Sequence, residues 1–233
     1  MAATDPRYRF VHREIVLVAM LAGITVAMFL LTRFVAEGDA ALRRADAARL
    51  YADGLRDLDE GRVEDAVTAL GRATARNPQA EPAWLALARA LAEGRQEAAA
   101  GRVLMRLRDA SPEDPDVNLE LARLEVRRDD VASAVRFYQS ALTALWRQGQ
   151  AVERGRVRRE LIRLLLDHQQ PDRAMSEVLV LGVDLPADAA SRNELGHLFL
   201  RAGSPSRARE QFARALEASP GDPDALAGAG EAA

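Results

Sequence analysis

The chain contains no cysteine and no lysine, has three histidines, and is poor in aromatic residues. Without cysteine, disulfides, zinc–thiolate sites and thiol chemistry are all excluded. His12, His168 and His197 offer no pair with metal-ligand spacing, and there is no H-E-x-x-H. Neither a G-x-S-x-G elbow nor a phosphate-cradling glycine loop occurs, and the closing "GAGEAA" follows no strand pattern. The acidic pieces "SPEDPD" and "SPGDPD" lack calcium-loop spacing; they read as helix caps, with Ser and Asp accepting from free N–H groups. The expectation is therefore no catalytic residue, no metal and no cofactor, in a chain that is not an enzyme. Aromatics amount to 5%, so strand formers are scarce, whereas Ala, Leu, Arg and Glu favour helices. A net charge of −3 argues against a nucleic-acid binder, which is ordinarily basic. All 32 cationic residues are arginine, a composition that goes with a GC-rich bacterial genome.

What is present begins with "IVLVAMLAGITVAMFLLT", Ile15 to Thr32, which carries no charge. At about 1.5 Å per residue this run is roughly 27 Å long, close to the hydrocarbon thickness of a bilayer. Phe34 and Val35 extend it, and Arg33 can snorkel toward headgroups. A cleaved signal peptide, cut after Ala40, is the competing reading, but its apolar core would ordinarily be shorter. The run reads as an uncleaved single-pass anchor. Arg7, Arg9 and Arg13 precede it; Arg33, Arg43 and Arg44 follow. The count is nearly balanced, but the preceding arginines sit close to the membrane end. This places the N-terminus inside and the remainder outside the cytoplasm, on a bacterial inner membrane.

The rest of the chain repeats. Pro78 and Pro112 are 34 residues apart, as are Pro186 and Pro220, and the middle gap is twice 34 plus six. Ala66, Ala100, Ala134, Ala174 and Ala208 stand 12 before a proline or its expected place. Ala73, Leu107, Ala141, Leu181 and Ala215 stand five before, and Gly54, Ala88, Ala122, Ile162 and Gly196 form a third column. A 34-residue period, with small residues in two helices and then a proline, resembles the tetratricopeptide repeat. Trp84 occupies that repeat's tryptophan position; Gly61, Asp129 and Gly203 mark turns, with the second unit's glycine one place early at Gly94.

The resemblance implies an all-α, right-handed α-solenoid of about five helix-turn-helix units preceded by one transmembrane helix. In this register residues 1–14 form a tail, 15–35 the anchor and 36–46 a linker or helix extension. The units run 47–80, 81–114, 115–148, 155–188 and 189–222, and 223–233 is a cap helix or the start of a sixth. Gly149 to Arg154 are extra, with Trp146 in place of a proline, so a longer helix or a loop is expected there. Ile162, where a small residue is usual, puts one packing angle in question. Each unit is a hairpin that cannot bury its apolar face alone, so neighbours must stack.

The resemblance also implies a concave groove lined by the first helix of each unit, which binds a protein or peptide. Carried over position by position, it would comprise Tyr51, Leu55, Arg89, Arg123, Arg127, Arg159, Arg163, Asn193, His197 and Arg201. Tyr51 and Leu55 stand where some family members carry lysine and asparagine to clamp an acidic C-terminus, so that clamp is absent. Arginines gathered on one face would draw in an acidic partner; alternatively they are solvated residues paired with Glu93, Glu120, Glu125 or Glu160. The expected role is a membrane-anchored scaffold, the alternative a regulatory part of a longer enzyme or signalling protein. Nothing in the sequence fixes its oligomeric state.

Overall fold

The computed structural model of the protein describes residues 6–144 and 151–233, and these hold eleven α-helices and no strand. They are α1 Pro6–Asp59, α2 Val63–Arg76, α3 Glu81–Glu93, α4 Glu97–Ala110, α5 Pro115–Arg127, α6 Val131–Thr143, α7 Ala151–Asp167, α8 Pro171–Asp184, α9 Ala189–Arg201, α10 Pro205–Ala218 and α11 Pro223–Glu231. Trp146, Gly149 and Gln150, on which the insertion reading rests, lie outside the described residues. From Ala151 onward the chain is helical, and α7 has 17 residues where α5 and α9 have 13. The fold is all-α and of the tetratricopeptide-like solenoid class. It divides into two compact units, Met1–Ala83 and Trp84–Ala233.

In the first unit α1 is a single helix of 54 residues, unbroken from its apolar segment into the helix that pairs with α2. Residues 36–46 are helical throughout, so no loop separates the two parts. Ion pairs at i,i+4 spacing, Arg33–Glu37 and Arg43–Asp39, support this stretch from the side. From Met20 to Phe34 the side chains are exposed, Phe29 at 63% and Phe34 at 75%. Burial begins at Ala47, and Ala66, Leu70 and Ala73 of α2 are fully enclosed. Gly54 permits the approach, because a Cβ there would stand 2.6 Å from the Leu70 side chain. α2 stops at Arg76 ahead of Pro78, and α3 opens with Pro82 in its first turn, where a missing N–H costs nothing.

In the second unit the hairpins α5/α6, α7/α8 and α9/α10 pack internally, and α4 onto α5, α6 onto α7 and α8 onto α9 link each to the next. Ala122, Ala134, Tyr138, Ala141, Leu161 and Ala174 belong to one core cluster. Ile162, Val178, Leu181, Phe199, Ala208 and Phe212 belong to the next. Ile162 is thus absorbed as a fully buried core residue. Phe212 lies between Gly196 of α9 and Gly228 of α11, where any Cβ would collide with its ring.

The turns inside the hairpins hold one register. Gly61, Arg95, Asp129, Gln169 and Gly203 all adopt positive φ, between 55° and 75°. After each, the following N–H reaches the carbonyl five residues back: Arg62 to Asp57, Gln96 to Leu91, Asp130 to Glu125, Gln170 to Leu165 and Ser204 to Phe199. This corrects the early placement at Gly94: the left-handed residue of that hairpin is Arg95, in step with the others. The acidic loops need a second correction. Asp114 and Asp222 cap α5 and α11, accepting from Val117 and from Asp224 and Ala225. Ser111 and Ser219 instead end the preceding helices, too early in the chain to reach the next helix's free N–H groups.

Candidate partner-binding face

The first helices of the hairpins carry most of the residues expected to meet a partner, and the structure gives those side chains specific neighbours. Glu120 of α5, almost fully buried, accepts from Arg89 of α3 at 2.7 and 3.1 Å. It also accepts from Arg123, one turn along its own helix, at 2.8 Å. Arg123 then forks onto Glu160 of α7, through Nε at 3.0 Å and Nη2 at 2.5 Å. The Tyr138 hydroxyl, rising from α6, donates to the same carboxylate at 3.1 Å. Further along, Arg159 forks onto Glu194 of α9, with Nη2 at 3.0 Å. Cation and anion therefore alternate along the face, each guanidinium reaching forward to the next helix.

The electrostatics follow from that enclosure. Burial alone would raise the Glu160 carboxyl, but the hydrogen bonds and charge of Arg123, with the Tyr138 hydroxyl, hold it below the ordinary carboxylate value. The hydrogen bond to Glu160 pushes the Arg123 guanidinium further up. Burial, then the Glu160 charge, pushes the Tyr138 hydroxyl up as well. Bidentate arginine–carboxylate contacts are the strong form of this interaction, and here they tie neighbouring hairpins together.

The remaining residues divide. Asn193 donates to Asp222 at 3.0 Å, while its Oδ1 is buried without a partner among the described residues. His197 pairs with Asp224 at 3.0 Å and lies edge-on to Phe212, centroids 5.0 Å apart. Arg201 reaches back to Asp167 at 2.7 Å. Arg127 and Arg163 are exposed and make no ion pair among the described residues. Tyr51 and Leu55 are half-buried in the Met1–Ala83 unit. Of the glutamates weighed as counter-charges, Glu120 and Glu160 take groove arginines, Glu125 takes Arg128, and Glu93 pairs with none among the described residues. Glu194 was not singled out from the sequence. Its signal was present: Glu160 and Glu194 are 34 apart, and Glu120 precedes Glu160 by 34 plus the six-residue insertion.

Helical hairpins stacked in a fixed register, with side chains exchanged between first helices, define a repeat protein of the interaction-scaffold class. Models of the tetratricopeptide repeat match residues 57–124, and again 159–223 and 193–233. Together they span more than half of the chain, and the chain belongs to the tetratricopeptide repeat family. That family is in general a non-enzymatic protein-interaction scaffold. No curated protein matches the chain. Among solved structures it is similar to pilF of Pseudomonas aeruginosa, at 16% identity and TM-score 0.60, over 82% of this chain and 90% of that one. It is similar to TTC0263, a thermophilic repeat protein of Thermus thermophilus, at 20% identity and TM-score 0.50, covering 80% and 98%. It is also similar to YrrB, a repeat protein with an unusual peptide-binding site, at 16% identity and TM-score 0.52, covering 84% and 95%. At these identities the likeness is one of fold.

Proposed function

We propose that the protein is a non-enzymatic, membrane-anchored scaffold of bacterial type that holds a protein or peptide partner against the first-helix face of its repeats. The anchor is residues 15–35, a single pass through the inner membrane, with the repeats outside the cytoplasm. The observation that carries this reading is the exposed apolar segment of α1, continuous with the helix of the first hairpin. The run 15–32 carries no charge, and its described part from Met20 is left uncovered by its own chain, which suits lipid rather than water. The apolar window passes by length and composition for a membrane span. Alkaline phosphatase fused after Ala233 is expected to be active, and a cytoplasmic reporter silent at the same junction. The reverse pattern overturns the orientation.

Within Trp84–Ala233 the partner surface is the first-helix face of α3, α5, α7 and α9. YrrB supports a peptide as occupant, as a protein of like fold with a peptide site. Its acidic preference rests on Arg127 and Arg163, the groove arginines without a carboxylate among the described residues. Each exposed ion pair contributes about 0.2–1 kcal/mol, so single changes are nearly silent. Arg127→Glu with Arg163→Glu is expected to release partners that Arg72→Glu with Arg102→Glu retains. Both double changes alter total charge equally; equal losses in co-purification defeat the groove.

A further inference from the structure

We infer that the cleft between α4 and α6 is a second docking site, for a peptide segment presenting an acidic side chain. The cleft is lined by Arg108, Arg136, Phe137, Gln139, Ser140 and Thr143 and has a volume of about 540 Å³. It lies on the second helices of the hairpins, apart from the first-helix face. What marks it is uncompensated charge. On the first helices Arg89, Arg123 and Arg159 each meet a glutamate, yet neither Arg108 nor Arg136 has a carboxylate within ion-pair distance among the described residues. The Arg108 guanidinium lies over the Phe137 ring, 5.1 Å from its centroid, and its Nε–H is buried with no hydrogen-bond partner among the described residues. Stacking uses the face of the guanidinium and leaves donors on its edge. Arg136, exposed, donates to the Ser133 hydroxyl and to no other side chain among the described residues. Asp130, an acid on which the Arg136 charge acts, is engaged by the α6 N-terminus, where the Ser133 N–H and hydroxyl both donate to it.

The other lining groups choose the class of ligand. The hydroxyls of Ser140 and Thr143 already donate to the carbonyls of Arg136 and Gln139, at 3.1 and 2.9 Å. Their oxygens remain as acceptors only. Two guanidiniums that need an anion thus stand beside two oxygens that need donors, over an aromatic ring. A phosphate could meet the guanidiniums and the hydroxyl oxygens but brings no apolar group to the Phe137 ring. A peptide supplies a carboxylate, backbone N–H groups and an apolar neighbour together. The occupant is a segment with Asp or Glu next to an apolar residue.

The test uses the full chain in detergent micelles with ¹⁵N-labelled arginine, following the Nε–Hε signals. The probes are N-acetyl-Glu-Leu-amide, its Gln-Leu counterpart and inorganic phosphate. The Glu-Leu probe is expected to move the Arg108 and Arg136 signals saturably, and the Gln-Leu probe to bind about fivefold more weakly. Arg136→Gln, a surface change, lowers affinity by roughly the same factor. Arg108→Lys, which keeps the charge but loses the fork, also weakens binding, whereas Arg214→Gln on α10, outside both the cleft and the groove, leaves it unchanged. Equal binding of Gln-Leu, phosphate binding as tight as Glu-Leu, unchanged affinity in both cleft variants, or an equal loss in Arg214→Gln would overturn the site. None of these outcomes bears on the groove, which is read at Arg127 and Arg163.

Discussion

Tyr138 and Phe212 occupy the same position in their repeats, 74 residues apart, and the two junctions they serve are built on opposite principles. Below Tyr138 the next hairpin presents Glu160, and the ring's hydroxyl joins Arg123 in holding that carboxylate. Below Phe212 the next helix presents Gly228, six residues into its own repeat as Glu160 is in its own, and the ring takes the space a side chain would fill. One junction is closed by a polar network and the other by the absence of a side chain. A single geometric slot accepts both, provided the pair is matched: hydroxyl with carboxylate, bare ring with glycine.

The sharpest way to break the comparison is at the polar junction. Arg123→Ala strips Glu120 and Glu160 of their shared cation and is expected to cost about 3 kcal/mol, seen as local loss of hydrogen-exchange protection in α5 to α7. Uniform loss along the chain would contradict nearest-neighbour coupling. At the apolar junction, Gly196→Ala places a methyl group 2.5 Å from the Phe212 ring and is expected to cost about 2 kcal/mol in thermal unfolding. Adding Phe212→Leu to Gly196→Ala should recover part of that loss, because the smaller side chain vacates the clash. No recovery would mean that the ring does not set the spacing.

Smaller effects sharpen the comparison. Tyr138→Phe makes the two junctions alike at the ring but leaves Glu160 short of a donor, for about 1 kcal/mol. Because Glu160 is held below its ordinary value, its contribution is complete above that value and lost as pH falls through the lowered one. Acid should therefore loosen the α5–α7 junction before the α9–α11 junction, which has no such carboxylate against its ring. Exchange profiles at falling pH that loosen both together would remove the distinction. Finally, Arg95→Gly should stabilise the α3/α4 turn by about 1 kcal/mol, since a left-handed conformation is strained for arginine and free for glycine. Asp129→Gly should gain less, aspartate tolerating that conformation better.

Arg95 also shows where the sequence was silent. The 34-residue period, the prolines and the small columns were legible because sterics restrict those positions to a few residue types. Gly61 and Gly203 announced their turns for the same reason. Arg95 and Gln169 occupy the same left-handed site without advertising it, because the backbone bonds that close the turn come from their neighbours and tolerate a modest strain. The first-helix face was half legible. Its arginines stood out by position, whereas Glu194 looked like any helix-surface acid until the fold set it against Arg159. The α4/α6 cleft was invisible, since nothing local relates Arg108 to Phe137 across two helices.

The unbroken α1 has a geometric consequence of its own. Its apolar segment and the first hairpin share one helical phase, so every residue between Phe34 and Ala47 counts as an angle. Adding one residue there turns the hairpin about 100° around the rod and lifts it by about 1.5 Å, while adding seven restores nearly the original facing. The length of this segment is thus a dial setting: it selects which way the first hairpin faces around the axis of the apolar segment.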